Sequence, residues 1–165
     1  MIAFLFAVDE GGGFGWCGGL PWPMVKADMQ RFRKLTMGQT LCVGRETART
    51  LPPLKGRTVL TLTHTPKAEN ECTADGAVLR FHQTLANGQA EGSPQTALFF
   101  GGGAASLRAL NGIKTITRAF VSVIHGKHPA DVTLCLPDWL LEGGWQEVSC
   151  DVLEADGVTF YEYAR

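Results

Sequence analysis

The hydrophobic positions of this chain change period several times, and each change marks an element. Ile2 to Val8 is a continuous apolar run of strand length, the pattern of a strand covered on both faces. From Met24 to Thr36 the spacing becomes helical: Val25, Met29, Phe32 and Leu35 form one stripe, and Lys26, Gln30, Arg33 and Lys34 supply the solvent face. Short strands are predicted at Leu41–Val43 and Thr58–Leu62 with a helical turn between them. A strand at Ala97–Phe100, a helix at Ala104–Leu110 and a strand at Arg118–Ile124 follow. At the end, Gln146–Leu153 and Val158–Tyr163 flank Glu154-Ala155-Asp156-Gly157, where Asp-Gly signals the turn of an antiparallel hairpin. Strands alternating with helices predict a layered α/β domain rather than a bundle or a β-sandwich.

Composition narrows what such a domain does. A length of 165 residues suits one domain spanning 1–165, since a single core serves chains of this size. Lys and Arg number 15 against 16 Asp and Glu, so no positive field draws the chain to nucleic acid. The five cysteines are widely spaced, without a CxxC pair; free thiols are expected and no metal site. The Ile2–Val8 run has no basic leader and is too short for a secretion signal or a membrane span. A cytoplasmic monomer without a membrane or nucleic-acid partner is therefore expected.

Three features carry candidate chemistry. Asp28 lies on the apolar stripe, three residues after Val25 and four before Phe32, so its carboxylate points where the helix points its hydrophobes. Such an acid is a site candidate; an exposed first-turn Asp favoured by the helix dipole is the other reading. Leu98-Phe99-Phe100 runs into Gly101-Gly102-Gly103 and then a helix start, which brings bare backbone close to a ligand or merely makes a tight turn. Neither GxGxxG nor GxxxxGK[ST] occurs, which disfavours a nucleotide kinase or ATPase. Val43-Gly44-Arg45-Glu46-Thr47 and Thr63-His64-Thr65 place a cation and hydroxyls at two further strand ends. Three such sites suit an extended phosphorylated cofactor.

Phe14-Gly15, Leu20-Pro21-Trp22, Asp28 with Phe32, Gly44-Arg45-Glu46-Thr47, Leu54-Lys55-Gly56-Arg57 and Gly101-Gly102-Gly103 together resemble the dihydrofolate reductase family in order and spacing across most of the chain. The resemblance implies a three-layer fold: a central eight-stranded, mostly parallel sheet with an antiparallel C-terminal edge, flanked by helices. It implies NADPH-dependent reduction of 7,8-dihydrofolate to tetrahydrofolate, which supplies one-carbon metabolism for thymidylate and purine synthesis. NADPH is the implied cofactor, dihydrofolate the small-molecule substrate, and antifolates the expected inhibitors.

Site roles follow from the same resemblance. Asp28 would pair with the 2-amino group and N3 side of the pterin, with water near Trp22 and Leu20 supplying the N5 proton. Leu5, Phe32 and Leu54 would contact the pterin and benzoyl rings, Arg57 the glutamate carboxylate, and Ser122 would stand near Asp28. Ala7, Phe14, Gly15, Gly19, Leu20, Arg45, Glu46, Thr47, Thr63, His64, Gly101, Gly102, Gly103 and Ala104 would form the NADPH side. The Gly11–Pro23 loop would close over the nicotinamide, and the Gly101–Gly102 peptide would be cis. The chain departs from the family where Ala104 replaces a frequent Arg, Ser106 a frequent aromatic, Ser122 the usual Thr and Ala48 a bulky aromatic. The rival readings are a pyrimidine reductase of riboflavin synthesis, against which Asp28 and Arg57 argue, and a folate- or nucleotide-binding module without turnover.

Overall fold

In the computed structural model, the strand from Ile2 to Asp9 (β1) is buried along almost its whole length. Alternation splits its side chains between two cores. Ala3 and Leu5 join Leu41, Val43, Phe99 and Phe120 on one face; Phe4, Phe6 and Val8 join Cys42, Leu98, Phe100 and Leu107 on the other. A strand apolar on both sides belongs in the middle of a sheet with helices on both faces, and that is where β1 lies. The structure describes residues 1–87 and 96–165.

The remaining elements, in chain order, are β2 (Gly13–Gly15), α1 (Lys26–Thr36), β3 (Thr40–Gly44), α2 (Arg45–Thr50), β4 (Thr58–Leu62), β5 (Glu71–Cys72), α3 (Ala74–Ala86) and β6 (Leu98–Gly101). After these come α4 (Ala104–Leu110), β7 (Arg118–Ile124), β8 (Val132–Thr133), α5 (Leu136–Gly143), β9 (Gln146–Leu153) and β10 (Val158–Ala164). Eight strands form one sheet in the order β5-β4-β3-β6-β1-β7-β10-β9. All neighbouring pairs from β5 to β7 are parallel, and β10 alone runs against the others. The expected mostly parallel sheet with an antiparallel C-terminal edge is therefore present. Phe32 and Leu35 of α1 cover one face, and Phe81 of α3, Leu107 of α4 and Trp139 of α5 cover the other. Among the described residues no helix is long and apolar enough to cross a membrane, and all five cysteines are unpaired.

Differences from the sequence expectations have local causes. Helix α1 starts at Lys26 rather than Met24, because Val25 is extended (φ −99°, ψ 108°). Strand β6 runs one residue later than Ala97–Phe100, since Gly101 still pairs with Val43. The Gly101–Gly102 peptide is trans; the chain turns instead through positive φ at Gly102 (71°) and Gly103 (38°). The last hairpin closes through a single 3-10 turn at Glu154–Asp156, with Gly157 at φ 69°. Helices α3 and α5 and the short strands β2, β5 and β8 were not predicted.

The core beneath α4 and α5 is held by an aromatic and amide network. Trp139 stacks on Trp145 with centroids 5.5 Å apart and meets the edge of Phe4 at 5.1 Å. Buried Asn111 satisfies both sides: its Nδ2 donates to the Trp139 carbonyl at 2.7 Å, and its Oδ1 accepts from Trp145 Nε1 at 2.8 Å. Polar groups so matched hold a core without the desolvation cost of an unpaired amide. Gly143, the last residue of α5, leaves room for this arrangement, because a Cβ there would overlap the Trp145 ring and Asn111 Oδ1. Overpacking of this kind costs about 2 kcal/mol. Gly143→Ala should therefore lower the stability measured by urea unfolding by that amount. Gly112→Ala, with open space at its Cβ, should change it by less than about 0.5 kcal/mol.

Candidate active site

The parallel strands carry their C-terminal ends to one rim, where α/β sheets hold ligands. Pairing in register sets Ser122 of β7 beside Ala7 of β1 and opposite Phe160 of β10. Helix α1 lies across this face and contributes Asp28, Arg31 and Phe32; β6 ends in the glycine turn. Together they enclose a cleft of about 560 Å³. Its floor is Leu5, Ala7 and Ser122, one wall is Asp28, Met29, Arg31 and Phe32, and another is Thr47, Thr50, Leu51 and Pro52. Gly102, Gly103 and Ala104 close one end, and Phe14 to Trp16 with Gly18 to Leu20 form the overhang.

Asp28 is the acid of this cleft. Burial raises its carboxyl above the ordinary carboxylate range, while the Ser122 hydroxyl and the Arg31 charge pull the other way. Its stripe is only partly covered: Val25, Phe32 and Leu35 are half-buried, whereas Met29 is 46 % exposed and lines the cleft. Part of the hydrophobic face of α1 thus serves the cleft rather than the core.

The opposite end is built for close approach. A Cβ on Gly101 would lie 2.9 Å from the Leu5 carbonyl oxygen, and one on Gly102 would lie 2.7 Å from Thr47 Oγ1. The turn thus packs directly on the Leu5 carbonyl of β1 and on Thr47 of α2, which only glycine allows. Beyond this turn, Arg45, Thr65 and Lys67 line a second hollow of about 520 Å³ together with Arg49 and Glu71. Arg45 Nη2 donates to Thr63 Oγ1 at 2.9 Å, and the Thr65 amide donates to the same oxygen at 3.3 Å.

The overhang is fixed at its base. Strand β2 pairs with β8, the Asp131 amide donates to the Gly15 carbonyl at 3.0 Å, and the Cys17 amide donates to Asp131 Oδ2 at 2.9 Å. Asp9, at the end of β1, is buried and accepts from the amides of Gly11, Gly13 and His128, and pairs with His128 Nδ1 at 3.0 Å. Burial pushes its carboxyl up, but these donors outweigh burial and hold it below the ordinary range. The tip closes on itself, with Trp16 and Gly19 exchanging amide–carbonyl bonds at 3.0 and 2.9 Å, and leaves Leu20 55 % exposed.

Of the residues named from the sequence, the cleft gathers Leu5, Ala7, Phe14, Gly15, Gly19, Leu20, Asp28, Phe32, Glu46, Thr47, Gly102, Gly103, Ala104 and Ser122. Gly101 is buried behind it, and Arg45 and Thr63 stand at the second hollow. Trp22 is not on the lining: it is 5 % exposed and packed with Ile124 and Val158. Leu54 packs on the core beside Phe32, and His64 is exposed and lines neither hollow. Arg57 reaches the far end of α1, where Nη1 donates to Thr36 Oγ1 at 3.5 Å and the buried Nε has no partner among the described residues. Arg31, Asp131 and Thr50 were missed. No signal marked Arg31, which sits among charged residues in a helix whose polar face looked complete. Among the described residues, no group of three or more His, Cys, Asp or Glu is gathered as a metal site.

A model of the dihydrofolate reductase family matches residues 1–165. The chain belongs to the dihydrofolate reductase family. It is 43 % identical over 60 residues to dihydrofolate reductase type 8 of Escherichia coli, covering 36 % of each chain. It is 32 % identical over 97 residues to dihydrofolate reductase of Mycobacterium leprae (strain TN), covering 55 % of this chain and 56 % of that one. The aligned stretches thus span about a third to a half of these curated relatives. Among solved structures, a dihydrofolate reductase from Enterococcus faecalis complexed with NADP(H) and RAB-propyl matches with a TM-score of 0.71 and 26 % identity. That match covers 100 % of this chain and 96 % of the other.

A carboxyl whose folded pKa is raised contributes stability that is present below its unfolded value, about 4, and is lost as pH rises through the folded value. At neutral pH Asp28 is therefore a cost to the free protein. Asp28→Asn should unfold at a higher urea concentration than the parent at neutral pH, and the gap should close in acid. Equal midpoints at neutral pH would show that the site places no charge burden on the fold.

Proposed function

We propose that this chain reduces 7,8-dihydrofolate to 5,6,7,8-tetrahydrofolate with NADPH. The observation that carries the reading is Asp28: an acid with a raised pKa, on the wall of a largely apolar cleft, beside a buried hydroxyl. A pterin presents a flat apolar body and, on one edge, the 2-amino group and N3, a donor pair matched to a carboxylate. Leu5 and Phe32 supply the apolar contact, and Ser122 orients the acid. Arg57, with a buried Nε that no group among the described residues satisfies, suits the glutamate carboxylate at the other end of the substrate.

The residues on the cofactor side fit NADPH. The cleft extends from Asp28 to the glycine turn, where Gly102 and Gly103 present bare backbone on its lining. Arg45, Arg49, Thr65 and Lys67 line the hollow beyond with cations and hydroxyls, the donor set that phosphate attracts. When bound, NADPH supplies a hydride from C4 of its nicotinamide to the pterin C6, and N5 takes a proton. Asp28 holds the pterin by its 2-amino and N3 edge and favours its cationic form, which leaves the N5 proton to another donor. Water admitted at the exposed Leu20 delivers that proton. Trp22, packed against Ile124 and Val158, anchors the C-terminal end of the Gly11–Pro23 loop, and the tip of that loop shuts out bulk water. The whole site comes from one chain, and its five unpaired thiols suit the cytoplasm.

Mixing the protein with NADPH and dihydrofolate and following the loss of NADPH absorbance tests the reading. Oxidation that depends on dihydrofolate is expected; its absence would overturn the assignment in favour of a binding module. Asp28→Asn should lower kcat/KM by about 100-fold, the loss of a charge-assisted pair. Arg57→Ala should act mainly through the KM for dihydrofolate, leaving kcat within a few-fold, because the group lies far from the reacting atoms.

A further inference from the structure

Arg31 is a cation on the apolar side of α1, and the reaction as described gives it no part. Its guanidinium carbon lies 4.4 Å from the centre of the Phe160 ring and 5.9 Å from that of Phe120. Nη1 donates to the Val121 carbonyl at 3.2 Å and Nη2 to the Tyr161 carbonyl at 3.2 Å. The guanidinium is thereby pinned between β7 and β10, next to the floor of the cleft, which it lines. Nη1 also reaches Ser122 Oγ at 3.5 Å. A hydroxyl has one proton to give. If a cation occupies a lone pair of Ser122 Oγ, its proton is left for the carboxyl that shares the cleft lining with it, Asp28.

The charges around Arg31 are unequal claimants. Asp28 faces it from α1, Glu162 from β10 and Asp151 from β9. Glu162 is already paired with Arg118 at 2.7 Å, and Asp151 is exposed. Among the described residues, no carboxylate oxygen lies within 4.0 Å of the Arg31 guanidinium. Its hydrogen bonds go to carbonyls, and its charge acts on Asp28 across low-dielectric surroundings, where Coulomb interactions fall off least.

We propose that Arg31 is a positioning residue of the pterin site: a fixed cation that aims the Ser122 hydroxyl at Asp28 and offsets part of the cost of charging the Asp28 carboxyl in the free protein. The inference rests on the reading of Asp28 as the pterin partner, but its test does not need turnover. The ionisation of Asp28 is followed by carboxyl carbon NMR across pH in the free parent protein, in Arg31→Lys and in Arg31→Met. Removing the cation should move the Asp28 midpoint to higher pH in Arg31→Met, and Arg31→Lys should stay close to the parent. Identical midpoints in all three would overturn the proposal. A second measurement needs no variant at Arg31: in the unaltered protein the Arg31 side-chain nitrogen signals should shift with the Asp28 midpoint, and that component should vanish in Asp28→Asn. Arg31 signals that stay flat through the Asp28 titration would also overturn it. In turnover, the acid limb of the kcat/KM profile should move in the same direction as the NMR midpoint. Absence of turnover with an intact NMR response would count against the dihydrofolate reading alone.

Discussion

A carboxylate that a ligand must find charged cannot be buried as the rest of a helix face is buried. Transfer of an isolated charge from water into an apolar surrounding is prohibitive, and a group in that position either neutralises or acquires partners. Helix α1 meets this constraint by degrees. Phe32 and Leu35 seat the helix on the sheet, while Asp28 and Met29 stay at the cleft wall. Ser122 and Arg31 then moderate the effect of burial. The cleft is apolar enough to hold a flat heterocycle and polar enough at one point to orient it.

The sheet makes this point available. Because β1 is covered on both faces, it cannot move sideways, and the residues paired with it in register inherit its rigidity: Ser122 through Ala7, and the glycine turn through β6. Phe160 is placed by the reversal of β10, which pairs it with Ser122 and so brings an aromatic face under Arg31. The antiparallel edge therefore does more than close the sheet. It supplies the surface on which a cation is immobilised near the acid.

Much of this was legible in the sequence because it depends on period. Continuous apolar character identified β1, and the 3.6-residue stripe of α1 put Asp28 on the inner side. Other parts depend on contacts the pattern does not encode. Arg31 reads as one more basic residue on a polar face until β7 and β10 are in place. Helix α5 is short and carries Pro137 at its start; its stability comes from Trp139 in the core, a tertiary term that overrides weak local propensity. Strands β5 and β8 have two residues each and no periodicity to read. The glycine run announced a turn after β6, but not how the backbone would turn, since glycine admits several conformations.

The two ends of the cleft also differ in how they obtain specificity. At Asp28 the chain supplies a charge that desolvation makes expensive, so a ligand lacking the complementary donor pair leaves a buried acid unmatched and binds poorly. At the glycine turn it supplies bare backbone on the lining, with cations only in the hollow beyond. Ala104 and Ser106 extend that choice, since neither adds a charge or a ring where family members often have one. Recognition on this side then falls to backbone and to the Arg45, Arg49 and Lys67 cluster, whose exposed charges are screened by salt. With Asp28 in the role proposed for it, substrate orientation should be the less salt-sensitive half of binding, because Asp28 stands on the wall of a largely apolar cleft, where salt screens less than at the exposed cations of the hollow.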